Sequence, residues 1–572
     1  MQTPDVVVIL AYVVGLFVVG GIYGGRVKTS NDLFTAGGRS PWWVSGLSGF
    51  MTMFSAGTFV VWGGIAYKHG FVAISINMCY GVAALLVGWF VAGRWKKSGI
   101  TTPAEFVRLR FGMRAVHGYT WAVMSYRTIS AAVALYALAV LLSALIPVPE
   151  GWFFRDATTG NLSLTWAIIA FGAIVLVYTV AGGLWAVLMT DVLQFIVLYL
   201  AIGFVVPLLF GEVGGVEGFM ANLPEGFLAL TSNEFTWVFL AGWTAIHFFM
   251  VGAEWAFVQR FICVRTERDA RKSAWLFGVL YLVSPVFWML PPLIFRTIDA
   301  TANPEEAYIL AAWLVLPTGM LGLMVAAMFS ATASMISSQL NVFAGVLTKD
   351  IILPALRARP SEQTLVRIGR IMTLMLGIFM TGVALLVPLL GGAEKVILSV
   401  TSLIVGPLLL PMIWALFSRK VTGRDVLITV GTCFVLGLIV RFGIGEGSAL
   451  AALPGFAALV AMVEASPRNV EVIIGVVLPA VLMGVAELRR KESAPGVAEV
   501  EQLANRSTEA LPELSLAELV QPARVVGWSL AACAAGMLGL AVFLPGDQKL
   551  LWISVVLLAG IATPALRWTP KG

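Results

Sequence analysis

From residue 4 to residue 566 the chain alternates long apolar runs with short polar connections. A helix needs about 20 apolar residues to cross roughly 30 Å of hydrocarbon. By that measure the pattern predicts fifteen spans: 4–24, 42–66, 71–93, 116–146, 164–181, 187–210, 236–259, 274–296, 317–347, 368–391, 396–417, 425–443, 470–486, 524–544 and 549–566. The runs are continuous rather than alternating, so they are helices and not barrel strands. A further apolar stretch, 449–463, is short and broken by Pro454 and Gly455. It reads as a re-entrant or extracellular segment.

Composition agrees. Of 572 residues 59% are hydrophobic and only 12% are charged, about half the charged share of a soluble domain. A water-soluble enzyme and a disordered chain are both excluded. The net charge of +6 reports membrane orientation rather than nucleic-acid binding. With the N-terminus outside and every span crossing, 29 of the 37 Lys and Arg fall in cytoplasmic loops, and the loop 211–235 has none. That is the expected bias, and it puts the C-terminus in the cytoplasm. The four cysteines show no paired spacing and the three histidines stand alone, so no disulfide framework or metal cluster is expected. The mixed-charge segment 487–523 reads as cytoplasmic, with short surface helices.

The spans 42–210 and 236–417 are two groups of five. Five being odd, the second group enters the membrane from the opposite side, as in an inverted repeat. Each group opens with an interrupted run. Gly46, Gly49, Ser55, Ala56, Gly57 and Thr58 crowd the first; His247, Gly252 and Glu254 break the second. Helix packing also uses small residues, but breaks at matching places in two halves point to the binding site of a secondary transporter. The chain therefore divides into an extra N-terminal helix (1–30), a first repeat (31–211), a second repeat (212–420) and about four accessory helices (421–572).

Several segments, taken together, resemble one family. Tyr178-Thr179-Val180-Ala181-Gly182-Gly183-Leu184-Trp185-Ala186-Val187, followed by Thr190-Asp191 and Gln194, is similar to the signature of the solute:sodium symporters. Asp32-Leu33-Phe34, Ala36-Gly37-Gly38-Arg39, Trp42-Trp43, Thr101-Thr102-Pro103-Ala104-Glu105-Phe106, Arg110-Phe111-Gly112, Val258-Gln259-Arg260, Leu340-Asn341 and Thr348-Lys349-Asp350 fit in order. The resemblance covers about 30–420. It implies a leucine-transporter-like fold of ten core helices and ion-coupled symport of a small polar organic solute by alternating access. Sodium is the family default, and a proton is the other coupling ion. No catalytic motif is present, so no enzyme and no cofactor are expected. The partners expected are the solute, sodium or a proton, and the bilayer of the plasma membrane. A sensor that keeps the fold without transporting is the other class.

The resemblance also implies a cation site. Carbonyls come from Met51 and Phe54 at the first break and from Ala331; hydroxyls belong at Ser334 and at 335. A hard cation is served by such oxygens, but Met335 offers a soft thioether. Met53 likewise stands where relatives often carry a polar group. Ser337 and Ser338 repeat the spacing one turn later, although Leu340-Asn341 favours the Ser334 frame. Asp191 is expected either to guide the cation to the cytoplasm or to cap its helix. Arg127 and Glu254 are the deep intramembrane charges, which default to function. They are expected either to bind solute, with Thr58 and Trp255, or to form a buried pair. Tyr126 and Trp255 are aromatic-gate candidates.

Overall fold

The computed structural model describes residues 3–24, 29, 33–34, 38–356, 360–390, 404–439, 470, 473–506, scattered positions between 523 and 542, and 549–567. The stretch 449–463, the first part of 396–417 and much of 524–544 lie outside these residues, as do Asp32, Ala36 and Gly37.

The described chain is helical, with three isolated β-bridges. In order, the helices are α1 (Thr3–Gly24), α2 (Trp42–Met53), α3 (Thr58–His69), α4 (Val72–Phe90), α5 (Ala92–Lys97), α6 (Pro103–Phe111) and α7 (Met113–Leu145). A 49-residue run, Leu164–Glu212, is two helices, α8 and α9, meeting at Gly183. Then follow α10 (Gly215–Ala221), α11 (Trp237–Ala253), α12 (Trp255–Ile262), α13 (Glu267–Ile298), α14 (Ala307–Val315), α15 (Met320–Val346), α16 (Glu362–Leu386), α17 (Gly406–Phe417), α18 (Gly423–Leu438), α19 (Leu478–Arg489), α20 (Val497–Arg506) and α21 (Lys549–Arg567). Among the described residues six helices are long and apolar enough to span a membrane, and two bent pairs qualify as broken spans.

Those bent pairs fall at the two expected interruptions. α2 and α3 meet at 63°, α11 and α12 at 53°. Phe54 (φ −87°, ψ 137°) and Glu254 (φ −68°, ψ 135°) adopt extended backbone at the joints. A break strands helix-end polar groups, which need partners in an apolar interior. The Ala56 N–H donates to Thr332 Oγ1 at 2.8 Å, and Trp95 Nε1 donates to the Gly252 carbonyl at 2.6 Å. The joint at Gly183 (φ 57°, ψ −161°) needs a residue without a side chain. A Cβ there would lie 2.7 Å from Leu33 Cδ1 and 2.9 Å from its carbonyl oxygen.

α15 is the axis of the molecule, with every residue buried. α1, α2, α7, α9 and α16 pack on it. At one end, Asp5 of α1 accepts the Gly319 and Gly322 N–H groups at 2.7 and 2.9 Å and so caps α15. On the other face a strap, residues 487–506, crosses from α19 to α6. Glu487 accepts from Trp414 Nε1 and Ser418 Oγ, Arg490 pairs with Asp425 at 3.3 Å, and Arg419 pairs with Glu501. α20 packs on α6, with Gly496 so close that a Cβ would meet the Leu109 carbonyl oxygen at 2.2 Å. The short helix expected in 487–523 is present as α20.

Candidate transport site

A cavity of about 760 Å³, including its open mouth, lies against the α2–α3 break. Met53, Ser55, Thr58 and Trp62 line it from the break. Asn77 and Tyr80 come from α4, Tyr126, Arg127 and Ser130 from α7, Trp243 and His247 from α11, Tyr281 from α13 and Met335 from α15. The site exists because two helices stop and restart mid-membrane, freeing space that an unbroken bundle would fill.

The polar groups on the wall are oriented by backbone. The Thr58 N–H donates to the Ser55 carbonyl at 2.8 Å, and Thr58 Oγ1 accepts the Ser55 N–H at 3.3 Å. His247 Nδ1 lies 2.8 Å from the Trp243 carbonyl. A carbonyl only accepts, so Nδ1 carries the hydrogen and Nε2 of the neutral ring is an acceptor. Rings surround these groups: Tyr80 packs on His247 at 3.8 Å between centroids, on Tyr281 at 5.3 Å and edge-on to Trp62 at 6.3 Å.

The two deep charges meet. Arg127 Nε is 3.2 Å from Glu254 Oε1, with side chains 7% and 0% exposed. Arg127 lines the cavity; Glu254 sits behind it at the α11–α12 joint. The Arg127 guanidinium also lies 4.9 Å from the centre of the Tyr126 ring. Trp255 is not among the cavity-lining residues. It starts α12 beyond the bend, fully buried, with its ring 6.0 Å from that of Phe343.

Met51 and Phe54 are fully buried at the end of α2, and the Met51 carbonyl accepts the Phe54 N–H at 3.1 Å. Across from them α15 presents Ala331 and Ser334, also fully buried, and Met335 at the cavity edge, 8% exposed. Asp191 lies well inside α9, eight positions past the Gly183 joint, so it does not cap that helix. It takes a hydrogen bond from Ser48 Oγ, lies 3.8 Å from Arg260 Nη2 and has Ser334 beside it. Arg260 Nε donates to Ser48 Oγ at 3.1 Å, and Nη2 to Ser338 Oγ. Ser337 Oγ turns back onto the Ser334 carbonyl at 3.1 Å. Of the two serine registers, Ser334 faces Asp191, while Ser338 is held by Arg260 and by Thr52 at 3.2 Å.

Sequence reasoning did not single out Asn77, Trp62, Tyr80, Trp243 and Tyr281, which line the cavity, nor Ser48 and Arg260 as partners of Asp191. Arg260 carried a signal: a cation next to an apolar helix and fully buried in the end has to be paired.

Two broken helices facing one another across a cavity, inside a bundle of long apolar helices, define a secondary transporter of the leucine-transporter-like fold. The solved structures agree on the fold. A Na+-coupled sialic acid symporter in a substrate-bound outward-open state superposes with a TM-score of 0.71 at 20% identity, covering 86% of this chain and 99% of that one. Mhp1, a nucleobase-cation-symport-1 family transporter, gives 0.52 at 16% identity, covering 84% and 99%. Residues 33–430 match the model of the sodium:solute symporter family, and the chain belongs to that family. It is 26% identical over 492 residues to the sodium/glucose cotransporter of Vibrio parahaemolyticus (77% of this chain, 85% of the relative). It is 27% identical over 467 residues to the sodium/sialic acid symporter NanT of Aliivibrio fischeri (77% and 88%). The protein is thus a multi-pass membrane symporter that couples sodium to a small solute by alternating access, and not an enzyme.

Proposed function

We propose that the chain carries a small polyhydroxylated solute, a sugar or a sugar acid, through the cavity at the α2–α3 break. The observation behind this reading is the wall itself: the rings of Trp62, Tyr80 and Tyr281, on which a sugar face could lie, the His247 acceptor, and Arg127 as the cation that would meet a carboxylate. Thr58 and Arg127 touch the solute; Glu254 holds Arg127 from behind. Glucose and sialic acid enter as candidates from the two relatives' names. Proteoliposomes with an inward sodium gradient test the reading. Uptake of labelled sialic acid that is lost in Arg127→Ala supports the carboxylate contact. Uptake of glucose that survives the same substitution moves Arg127 to a structural role, and uptake of neither overturns the solute class.

Sodium is assigned to the Met51, Phe54 and Ala331 carbonyls with Ser334, and it leaves past Asp191. The Ser334–Asp191 proximity supports a continuous route. The ten-helix core is assigned to 31–211 and 212–420, with the extra helix in 1–30 and about four accessory helices in 421–572. Fifteen spans place the N-terminus outside and the C-terminus in the cytoplasm. Single cysteines placed in 212–235 and 495–505 should label from opposite sides, and equal labelling from outside overturns that topology.

A further inference from the structure

We infer that the N-terminal helix α1 is a positioning element for the sodium site, acting through a Tyr12–Ser330 hydroxyl pair on α15; this rests on the assignment of sodium to Ala331 and Ser334.

α1 lies outside the 33–430 stretch that defines the family match, yet it grips the helix that carries the cation ligands. One face of α1 does this. Asp5, Val8 and Tyr12 are buried, at 2%, 7% and 6% exposure, while Val7, Leu10 and Val14 are exposed. The spacing i, i+3, i+7 puts the first three on one stripe. At its N-terminal end the stripe is fixed by charge: the Asp5 carboxylate accepts two N–H groups at the α15 N-terminus, where a carboxylate is favoured both as cap and by the helix dipole. The backbones are in close contact there, since a Cβ on Gly322 would lie 2.4 Å from the Asp5 carbonyl oxygen.

Two turns further along α1 the second fixed point appears. The Ser330 and Tyr12 hydroxyls are hydrogen-bonded, and the Tyr12 ring stands edge-on to Phe329 at 6.5 Å. Ser330 Oγ also reaches the Ala326 carbonyl at 2.6 Å. Ser330 precedes Ala331, whose carbonyl is assigned to sodium. Two residues beyond Ser330, Thr332 Oγ1 receives the Ala56 N–H of the α2–α3 break at 2.8 Å. A single turn of α15 is therefore pinned from one side by Tyr12 and from the other by the broken helix, with Ala331 between the two contacts and Ser334 two residues past the second. A helix held at two points along its length by another helix can neither rotate nor slide freely. Rotation at 330 moves the 331 carbonyl and the 334 hydroxyl together.

The test is sodium dependence in proteoliposomes. Tyr12→Phe and Ser330→Ala each remove one hydroxyl and keep the packing. Each is expected to raise the half-saturating sodium concentration roughly two- to tenfold, the range one neutral hydrogen bond supports. The solute concentration for half-maximal uptake at saturating sodium stays unchanged. The double variant shifts no further than the larger single one, because the two groups act as a pair. An unchanged sodium curve, or shifts that multiply in the double variant, overturns the inference, whatever the thermal stability does. Ser334→Ala in parallel separates this inference from the site assignment. Lost sodium dependence there with no response at Tyr12 and Ser330 sinks only the positioning role. No response in Ser334→Ala removes the site and the role with it.

Discussion

Met335→Ser is the most informative single substitution. Met335 borders both the cavity and Ser334, and its thioether offers a hard cation little. In the proposed site the ligands are the carbonyls of Met51, Phe54 and Ala331 and the Ser334 hydroxyl, which has Asp191 beside it. An added hydroxyl oxygen is worth about 1–3 kcal/mol, or roughly five- to 150-fold in affinity at about 1.4 kcal/mol per decade. Against this stands the loss of a large apolar side chain. In a closed core a Met-to-Ala-sized truncation costs about 2–5 kcal/mol. Met335 is 8% exposed and faces the cavity, so water can fill the space, and the cost should sit at the lower end of that range. Binding and folding therefore move in opposite directions, which makes them separable. The assay is initial uptake rate against external sodium, with melting temperature measured on the same preparation. The expected result is half-saturation at a sodium concentration at least fivefold lower, together with a modest loss of thermal stability. An unchanged sodium curve in Met335→Ser, when Ser334→Ala is also silent, would refute the ligand frame and move the cation towards Ser337 and Ser338.

Glu254→Gln leaves Arg127 without its charge partner; breaking a buried pair costs about 3–5 kcal/mol, less where a cavity admits water. Uptake should be lost, and wild-type uptake would show that the Arg127–Glu254 pair is not needed to place Arg127. Gly183→Ala forces a positive φ on alanine and a Cβ into Leu33; the monodisperse yield in size-exclusion chromatography should collapse, and a normal yield would contradict the joint. In the 147–163 loop the Thr159 and Thr158 N–H groups bond Asp156 and hold its carboxyl below the usual value. A depressed folded pKa gives stability that is present above the ordinary carboxylate range and lost as pH falls through the folded value. Asp156→Asn should therefore raise protease cleavage of this loop at neutral pH and make little difference in acid; equal resistance of both proteins at neutral pH would count against it.

The helix breaks could be read from sequence because glycine and polar residues in mid-run conflict with the apolar periodicity around them. Arg127 and Glu254 are legible in the same way, being charges inside apolar runs, although only the fold shows that they pair with each other. The aromatic wall could not be read. Trp62, Tyr80, Trp243 and Tyr281 come from four helices, and a buried ring facing a cavity has the same local sequence as one facing lipid. Nor could the partner of Asp5 be read. An acid at the start of an apolar run suits a first-turn position on its own helix, and nothing local reveals that it caps α15, 314 positions away. Asp191 was open between capping and guiding a cation because the exact start of α9 depends on the Gly183 joint, and helix ends are the least determined part of any reading.

The strap has a consequence in the order of synthesis. A ribosome makes α6 early and α20 late, so the Leu109 carbonyl waits for Gly496 while the residues between them are added. At roughly 5–20 residues per second that wait is on the order of 20–80 s. Over that interval the surface of α6 that α20 covers is without it, and the connection around Arg419, once made, is without Glu501. A ribosome that stalls before residue 487 leaves them bare. The finished core and an arrested one thus differ in a surface that quality-control proteases can reach, and closure of the strap marks a molecule translated at least that far.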